Sequence, residues 1–188
     1  NNKVSADYNG GSGNATTTPD IIPTIVSSNP PNGAIDARRE TDWNKINLTM
    51  NSNLTGFPSS ADFLIKPSSD TPIKIASVGL DYQGRTVTNI LVLTFDRLIK
   101  VGERIRITHK PSGTSICLGY LPGDVDQSGM VAPADILELI DIQNGVKSAP
   151  LYVADLDRSG QVNNADSLTL TDILNTSNGK TLPACPAL

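Results

Sequence analysis

Two twelve-residue segments in the last third of the chain carry the same spaced set of oxygen-bearing side chains. Loop one begins at Asp124 and loop two begins at Asp155, which is 31 positions later. Each loop has Asp at positions 1, 3 and 12, Ser at position 5, Gly at position 6 and Val at position 8. Calcium takes six to eight oxygen ligands, and a twelve-residue loop can supply them where Gly permits a sharp turn. The repeat therefore predicts two calcium sites rather than a single acidic turn.

The remaining positions of the loops complete the predicted ligand sets. Position 7 binds through its backbone carbonyl, and position 9 anchors a bridging water. Ala132 at position 9 of loop one offers no side-chain oxygen, whereas Asn163 of loop two does, so we expect loop one to be the weaker site. The predicted ligands are Asp124, Asp126, Ser128, Met130 and Asp135 in loop one, and Asp155, Asp157, Ser159, Gln161, Asn163 and Asp166 in loop two.

A helix is predicted after each loop, ending at Asn144-Gly145 and at Asn178-Gly179. We expect Val131 and Val162, at position 8, to pair as a minimal strand. The apolar residues expected to form the core of this region are Ile136, Leu137, Ile140, Leu168, Ile173 and Leu174. A core this small predicts that the region depends on calcium for its fold.

Charge is divided unevenly along the chain. Residues 121–188 contain 3 Lys and Arg against 9 Asp and Glu, a net charge of −6, which argues for a cation and against nucleic acid. No apolar run approaches the roughly 18 residues that a membrane-spanning helix needs.

Cys117 and Cys185 flank the acidic third. In an exported protein this placement favours a disulfide, and in the cytosol it would mean two unrelated thiols.

Between residues 23 and 110 the apolar residues alternate with polar ones over short runs separated by turns. Ile46, Leu48 and Met50 are one such run, and Ile105 and Ile107 are another. Period-two alternation over six or seven short strands predicts an antiparallel β-sandwich, and the length suits an immunoglobulin-like fold. Trp43 lies out of phase with its strand, which favours a position at the edge of the core over an exposed contact.

Catalytic patterns are weak in this sequence. His109 is the only histidine, so a zinc site of several His and Cys ligands is disfavoured and a surface position at a strand end is expected. Glu103 and Asp96 could form an acid pair for glycoside hydrolysis, but their spacing is unremarkable. No nucleophile elbow or phosphate-binding loop occurs in the sequence. The chain is therefore predicted not to be an enzyme.

Two stretches resemble known families. The stretch Ser28-Asn29-Pro30-Pro31-Asn32-Gly33-Ala34 is similar to the opening of bacterial immunoglobulin-like modules. The loop-plus-helix repeat, with Gly-Asp-Val-Asp at residues 123–126, resembles the type I dockerin module. That resemblance implies a cohesin partner, contacted at Pro133, Ala134, Ile140, Asp141, Asn164, Ala165, Thr171 and Asp172. The Ser-Thr pairs and the basic residues usual at such positions are missing here.

These features predict a β-sandwich (immunoglobulin-like) followed by a small all-α domain of paired EF-hand-like (dockerin) loops. We expect residues 1–22 to be a flexible linker or strand-donating arm, residues 23–116 the sandwich and residues 117–188 the dockerin-like domain. The favoured function is an extracellular or cell-surface assembly module that binds two calcium ions and docks to a cohesin-like domain. The alternative is a calcium-rigidified subunit of a surface layer or filament, which self-associates through surface strands.

Overall fold

The computed structural model of the chain describes residues 22–54, 58–84 and 88–188. Apart from Ile22, the predicted arm of residues 1–22 lies outside the described residues. The described residues form eight strands and three α-helices. In chain order these are β1 Ile25–Asn29, β2 Ile35–Asp36, β3 Lys45–Met50, β4 Phe63–Pro67, β5 Ile75–Leu80, β6 Ile90–Phe95, β7 Glu103–His109, β8 Ser115–Tyr120, α1 Ala134–Gln143, α2 Leu151–Ala154 and α3 Asn164–Ser177. None of the described helices is both long and apolar enough to cross a membrane.

The strands form two four-stranded sheets that pack face to face. The first sheet has the order β1-β3-β6-β5, and all of its pairs are antiparallel. The second has the order β2-β8-β7-β4, in which only the short β2 pairs in parallel, with β8. A β-sandwich followed by helices is therefore confirmed, and the assignment to the immunoglobulin-like fold stays a prediction.

Alternation along the strands determines which side chains meet between the sheets. In β3, Ile46 and Leu48 are fully buried while their polar neighbours face outward, because successive side chains of a strand point to opposite faces. In the facing sheet, Ile105 and Ile107 of β7 are buried in the same way. Trp43 lies in the same apolar cluster and is buried rather than exposed.

The helices bury only part of the predicted core. Ile173 is buried, and Ile136 and Leu174 are half-buried against the apolar clusters, as predicted. Leu139 and Leu170 are buried, at 1% and 0% exposure, whereas Leu137 and Leu168 are 68% and 71% exposed and Ile140 is 41% exposed. The expectation that the last three belong to the core is therefore wrong. The position-12 Asp of each loop points into its loop, and the residue four positions later lies on the same face of the helix. Each acidic loop thus sets the phase of the helix that follows it.

The helical region packs directly on the sandwich through the segment that follows β2. The amide of Ala37 donates to the carbonyl of Tyr152 at 2.9 Å, and the amide of Gly123 donates to the carbonyl of Ala37 at 2.7 Å. The rings of Trp43 and Tyr152 meet edge to face with centroids 5.2 Å apart. The sandwich and the helical region therefore share buried contacts.

Cys117 and Cys185 form a disulfide, as the sequence favours. Cys117 lies within β8, which runs from Ser115 to Tyr120 and so extends through the boundary predicted at residue 116. With the boundary predicted at residue 116, this bond would join the two ends of the helical domain. Instead it joins the C-terminal segment to a strand of the sandwich, because the chain returns along β8 after α3.

Candidate metal centres

The three acidic side chains of loop one converge on one point. Carboxylate oxygens of Asp124, Asp126 and Asp135 all lie within 4.8 Å of one another. The amide of Gly129 donates to Asp124 Oδ2 at 2.9 Å. The amides of Asp126 and Ala132 donate to the two oxygens of Asp135 at 3.0 and 2.8 Å. Backbone amides therefore hold both buried carboxylates in place.

Loop two repeats this arrangement. Carboxylate oxygens of Asp155, Asp157 and Asp166 also lie within 4.8 Å of one another. The amide of Gly160 donates to Asp155 Oδ2 at 2.9 Å. The amides of Asp157 and Asn163 donate to Asp166 at 3.2 and 2.8 Å. The sequence repeat is thus a structural repeat, contact by contact.

The oxygens of positions 5 and 7 join the carboxylates. Ser128 Oγ lies 3.4 Å from Asp124 Oδ1 and 3.2 Å from the carbonyl oxygen of Met130. In loop two, Ser159 Oγ lies 3.4 Å from the position-1 carboxylate and 3.1 Å from the carbonyl oxygen of Gln161. Each loop therefore gathers five predicted ligand residues, and a cluster of oxygens of this kind fits a hard cation such as calcium.

The charge balance of loop one also favours a cation. Burial raises the pKa of Asp124 to about 7. The hydrogen bond donated by the amide of Gly129 lowers this pKa, whereas the neighbouring Asp126 and Asp135 raise it further. Burial likewise raises the pKa of Asp135. Among the described residues, no Lys or Arg is salt-bridged to this cluster or to that of loop two. Buried carboxylates without a counter-ion are costly, and a divalent ion would supply the missing positive charge.

Position 9 distinguishes the two loops. Asn163 Oδ1 accepts a hydrogen bond from the amide of Ala165 at 2.8 Å and caps the start of α3. Ala132 has no such group, and α1 begins after Pro133 without a side-chain cap. The side chain of Asn163 therefore has a structural role at the helix end, and its role toward a cation stays a prediction.

The predicted pairing of Val131 with Val162 is wrong for loop one. The amide of Val131 donates to the carbonyl of Lys180 at 2.9 Å, and its carbonyl accepts from the amide of Gly179 at 2.7 Å. The C-terminal segment therefore occupies both backbone groups of Val131. The sequence of loop one gives no sign that Val131 pairs with the C-terminal segment. The one available signal was Cys185, because its bond to Cys117 requires the C-terminal segment to come back to the sandwich.

The residues predicted to contact a partner lie on the outer side of the helical region. Seven of the eight are exposed and one, Asp141, is half-buried; the exposed ones are Pro133, Ala134, Ile140, Asn164, Ala165, Thr171 and Asp172. Sequence reasoning missed two exposed leucines on the same helices, Leu137 and Leu168, because it assigned them to the core. They occupy equivalent positions of the repeat.

The other titratable candidates have structural partners. Glu103 is buried, and its carboxylate accepts hydrogen bonds from Nη1 and Nη2 of Arg97, each at 2.8 Å. Burial by itself would raise the pKa of Glu103, but hydrogen bonds from Arg97, the Lys100 amide and Ser69 hold it below its usual value. His109 ends β7 but is buried, contrary to the surface position expected, and its Nδ1 lies 2.8 Å from Ser112 Oγ.

A comparison with known families gave one match, which lies in the helical region. The family model of the dockerin type I domain matches residues 122–175, which contain both loops and reach into α3. A search of curated proteins gave no match. A search of solved structures also gave no match.

Proposed function

We propose that residues 117–188 bind two calcium ions and dock to a cohesin-like protein domain, as a non-catalytic assembly module outside the cell. The observation that carries this proposal is the convergence of three carboxylates in each loop of the segment that matches the dockerin type I model. The disulfide supports an exported protein, because such bonds persist in oxidising compartments.

The surface we assign to docking is the helical face, defined by Leu137 and Ile140 of α1 and Leu168 and Thr171 of α3. All four side chains are exposed, and the two leucines are the most exposed large hydrophobic residues of their helices. Their positions relative to the metal loops are fixed, since each leucine lies two residues after the position-12 Asp. A cation that orders the loops would therefore also orient this face.

Charge narrows the kind of partner that fits the helical face. The acidic groups on the solvent sides of α1 and α3 have basic partners within the chain. Lys147 pairs with Glu138 and Asp141, and Arg39 lies 3.4 Å from Asp172. The apolar side chains of the helical face are therefore bordered by ion pairs rather than by free carboxylates. We expect a cohesin-like partner whose docking surface has an apolar centre and a polar rim.

The sandwich of residues 23–116 is proposed to be an immunoglobulin-like module that supports the docking module. The eight described strands in two antiparallel-rich sheets agree with this assignment. The contacts of Ala37 and Trp43 with the helical region support this proposal.

The decisive experiment measures calcium-dependent binding to a panel of purified type I cohesin domains by biolayer interferometry. We expect binding with calcium present and loss of binding in chelator. The double variant Leu137→Ala/Leu168→Ala should weaken binding by about tenfold or more, since exposed apolar anchors dominate such interfaces. Its circular dichroism should be unchanged, because neither side chain is in the core.

The matched control is Val146→Ala, which removes an exposed apolar residue of the same region outside the helical face. This variant should bind as the parent does. A calcium-loaded protein that binds no cohesin of the panel, or a double variant that binds as tightly as the parent, contradicts the docking proposal.

A second function has one observation in its favour. β1 and β5 are the edge strands of the first sheet, so each has one row of backbone groups without a strand partner in the described residues. Another copy could pair with such an edge and build a layer or filament. Light scattering of the calcium-loaded protein tests this, and a monomer at all concentrations contradicts it.

A further inference from the structure

Loop one is held on one side by the sandwich. The side-chain amide of Gln127, at position 4, accepts from the amide of Ile35 through Oε1 at 2.9 Å and donates to the carbonyl of Ile35 through Nε2 at 2.9 Å. The same Nε2 lies 3.0 Å from the carbonyl of Asp124. Gln127 thus makes the two hydrogen bonds that a neighbouring strand would make to β2, and connects β2 to the first residue of the loop.

The other side of loop one is held by the returning chain, residues 179–185, which we call the return segment. The amide of Leu182 donates to the carbonyl of Gly129 at 2.8 Å, and Met130 forms a β-bridge with Thr181. Leu182 packs against the apolar cluster that includes Val131. The position-7 carbonyl, a predicted calcium ligand, therefore belongs to a residue fixed by strand pairing.

The return segment is itself anchored to the sandwich. Cys185 is bonded to Cys117 of β8, and Arg106 of β7 donates to the carbonyl of Pro186 at 2.5 Å. A covalent bond and a charged hydrogen bond thus keep the segment beside loop one. The segment cannot leave the loop freely while the disulfide is intact.

Loop two lacks these two supports. Its position-4 residue, Arg158, makes an exposed ion pair with Asp42 at 2.9 Å and a long hydrogen bond to the carbonyl of Glu40 at 3.4 Å. Exposed contacts of this kind contribute little. Arg39 donates its amide to Leu156 at position 2 of this loop. In the part of the chain that the structure describes, residues 160–162 make no backbone hydrogen bond outside their own loop.

We propose that Gln127 and the disulfide-anchored return segment preorganise loop one, so that loop one binds calcium more tightly than loop two and fills first. A loop that must be ordered by the cation loses conformational entropy on binding, whereas a loop already held loses less. The inference rests on the proposed calcium binding. It reverses the order expected from position 9, where only Asn163 has a side-chain oxygen.

The test is a calcium titration followed by residue-resolved NMR, using the amides of Gly129 and Gly160 as separate reporters. Each amide donates to the position-1 Asp of its own loop, so each senses its own site. We expect the Gly129 signal to shift at lower calcium concentration than the Gly160 signal. Simultaneous shifts, or an earlier shift at Gly160, would overturn the proposal.

Alanine variants at position 4 of the two loops form a matched pair. They distinguish the loss of the contacts that hold loop one from a general effect of removing a position-4 side chain. Gln127→Ala should raise the dissociation constant of loop one by about tenfold or more, because it loses the three hydrogen bonds to Ile35 and Asp124, and leave loop two unchanged. Arg158→Ala should change loop two by less than about fivefold, because it loses an exposed ion pair. Equal effects of the two variants on their own loops would contradict the proposal.

A second set of variants tests whether the disulfide-anchored return segment supports loop one. In the variant Cys117→Ser/Cys185→Ser, calcium should bind more weakly at loop one while the Gly160 reporter is unchanged. If that variant does not fold, Leu182→Ala tests the same segment with the disulfide intact. Unchanged affinity at loop one in the folded variant refutes the role of the return segment. If neither glycine responds to calcium in the parent protein, the proposed calcium function itself fails, which is a different outcome.

Discussion

Replacing Asp124 by Asn should have opposite effects on stability with and without calcium. Asp124 and Asp135 are both buried, and their carboxylate oxygens lie within 4.8 Å of each other. At that separation two unit charges repel by about 3 kcal/mol for an effective dielectric constant of about 20. Asp124→Asn removes one of the two charges with little change in shape.

In chelator at pH 8, we therefore expect the variant to be more stable than the parent protein by up to about 3 kcal/mol. In saturating calcium the order should reverse, because the variant has lost a charged ligand and calcium then stabilises the parent more. The assay is urea unfolding followed by the helical circular dichroism signal. Asp172→Asn is the control, since this carboxylate is exposed and outside both loops.

The pH dependence has a definite sign. The pKa of Asp124 in the folded calcium-free protein is raised to about 7, so the fold binds a proton that the unfolded chain releases at a lower pH. The calcium-free parent should therefore gain stability relative to the variant as the pH falls from about 8 through 7 towards 5. A variant that is less stable than the parent in chelator at pH 8 would refute this account of loop one.

Three further predictions follow from the same geometry. Leu170→Ala should destabilise the helical region by about 2–5 kcal/mol in thermal unfolding, because the side chain is fully buried. Leu168 is exposed, so Leu168→Ala should change the free energy of unfolding by less than about 0.5 kcal/mol. Similar losses in the two variants would mean that the helix phase is wrong. Gly123→Ala should destabilise by about 2–4 kcal/mol in urea unfolding, since Gly123 has φ +89° and an added Cβ would lie 2.8 Å from a methyl group of Ile173. Gly145→Ala, with φ +70° and no atom within 4 Å of its Cβ position, should lose only the smaller conformational part; equal losses would exclude the steric clash. Calcium affinity at loop one, measured by calorimetry, should fall as the pH is lowered below about 7, because the proton on Asp124 must leave before the cation binds; an affinity that is constant from pH 7.5 to 5.5 would contradict this.

Much of the candidate site could be predicted from the sequence, since a calcium loop is a local structure. The predicted ligands of loop one lie within twelve consecutive residues, and the turn at Gly129 brings them close together. The same holds for loop two. Period-two alternation likewise predicted the buried faces of β3 and β7, because side chains alternate on any strand.

The buried face of each helix was predicted only in part, although the sequence contained enough information to predict it. Ile136, Ile173 and Leu174 were assigned correctly to the core. Counting apolar residues favoured Leu137 and Leu168, while the position of Asp135 and Asp166 on their helices requires Leu139 and Leu170 to point inward. The carboxylate that faces the loop was the better guide to the buried face.

Only the tertiary structure decided how the two loops differ. By itself, the sequence determined two nearly identical loops and the cysteine pair. It could not place Gln127 against Ile35, nor the return segment against Val131, because these contacts join residues far apart in the chain and depend on how the sandwich and the helices pack. Local spacing determines which oxygens can surround a cation. The surroundings of each loop depend on long-range packing, and such packing produces no repeating pattern in the sequence.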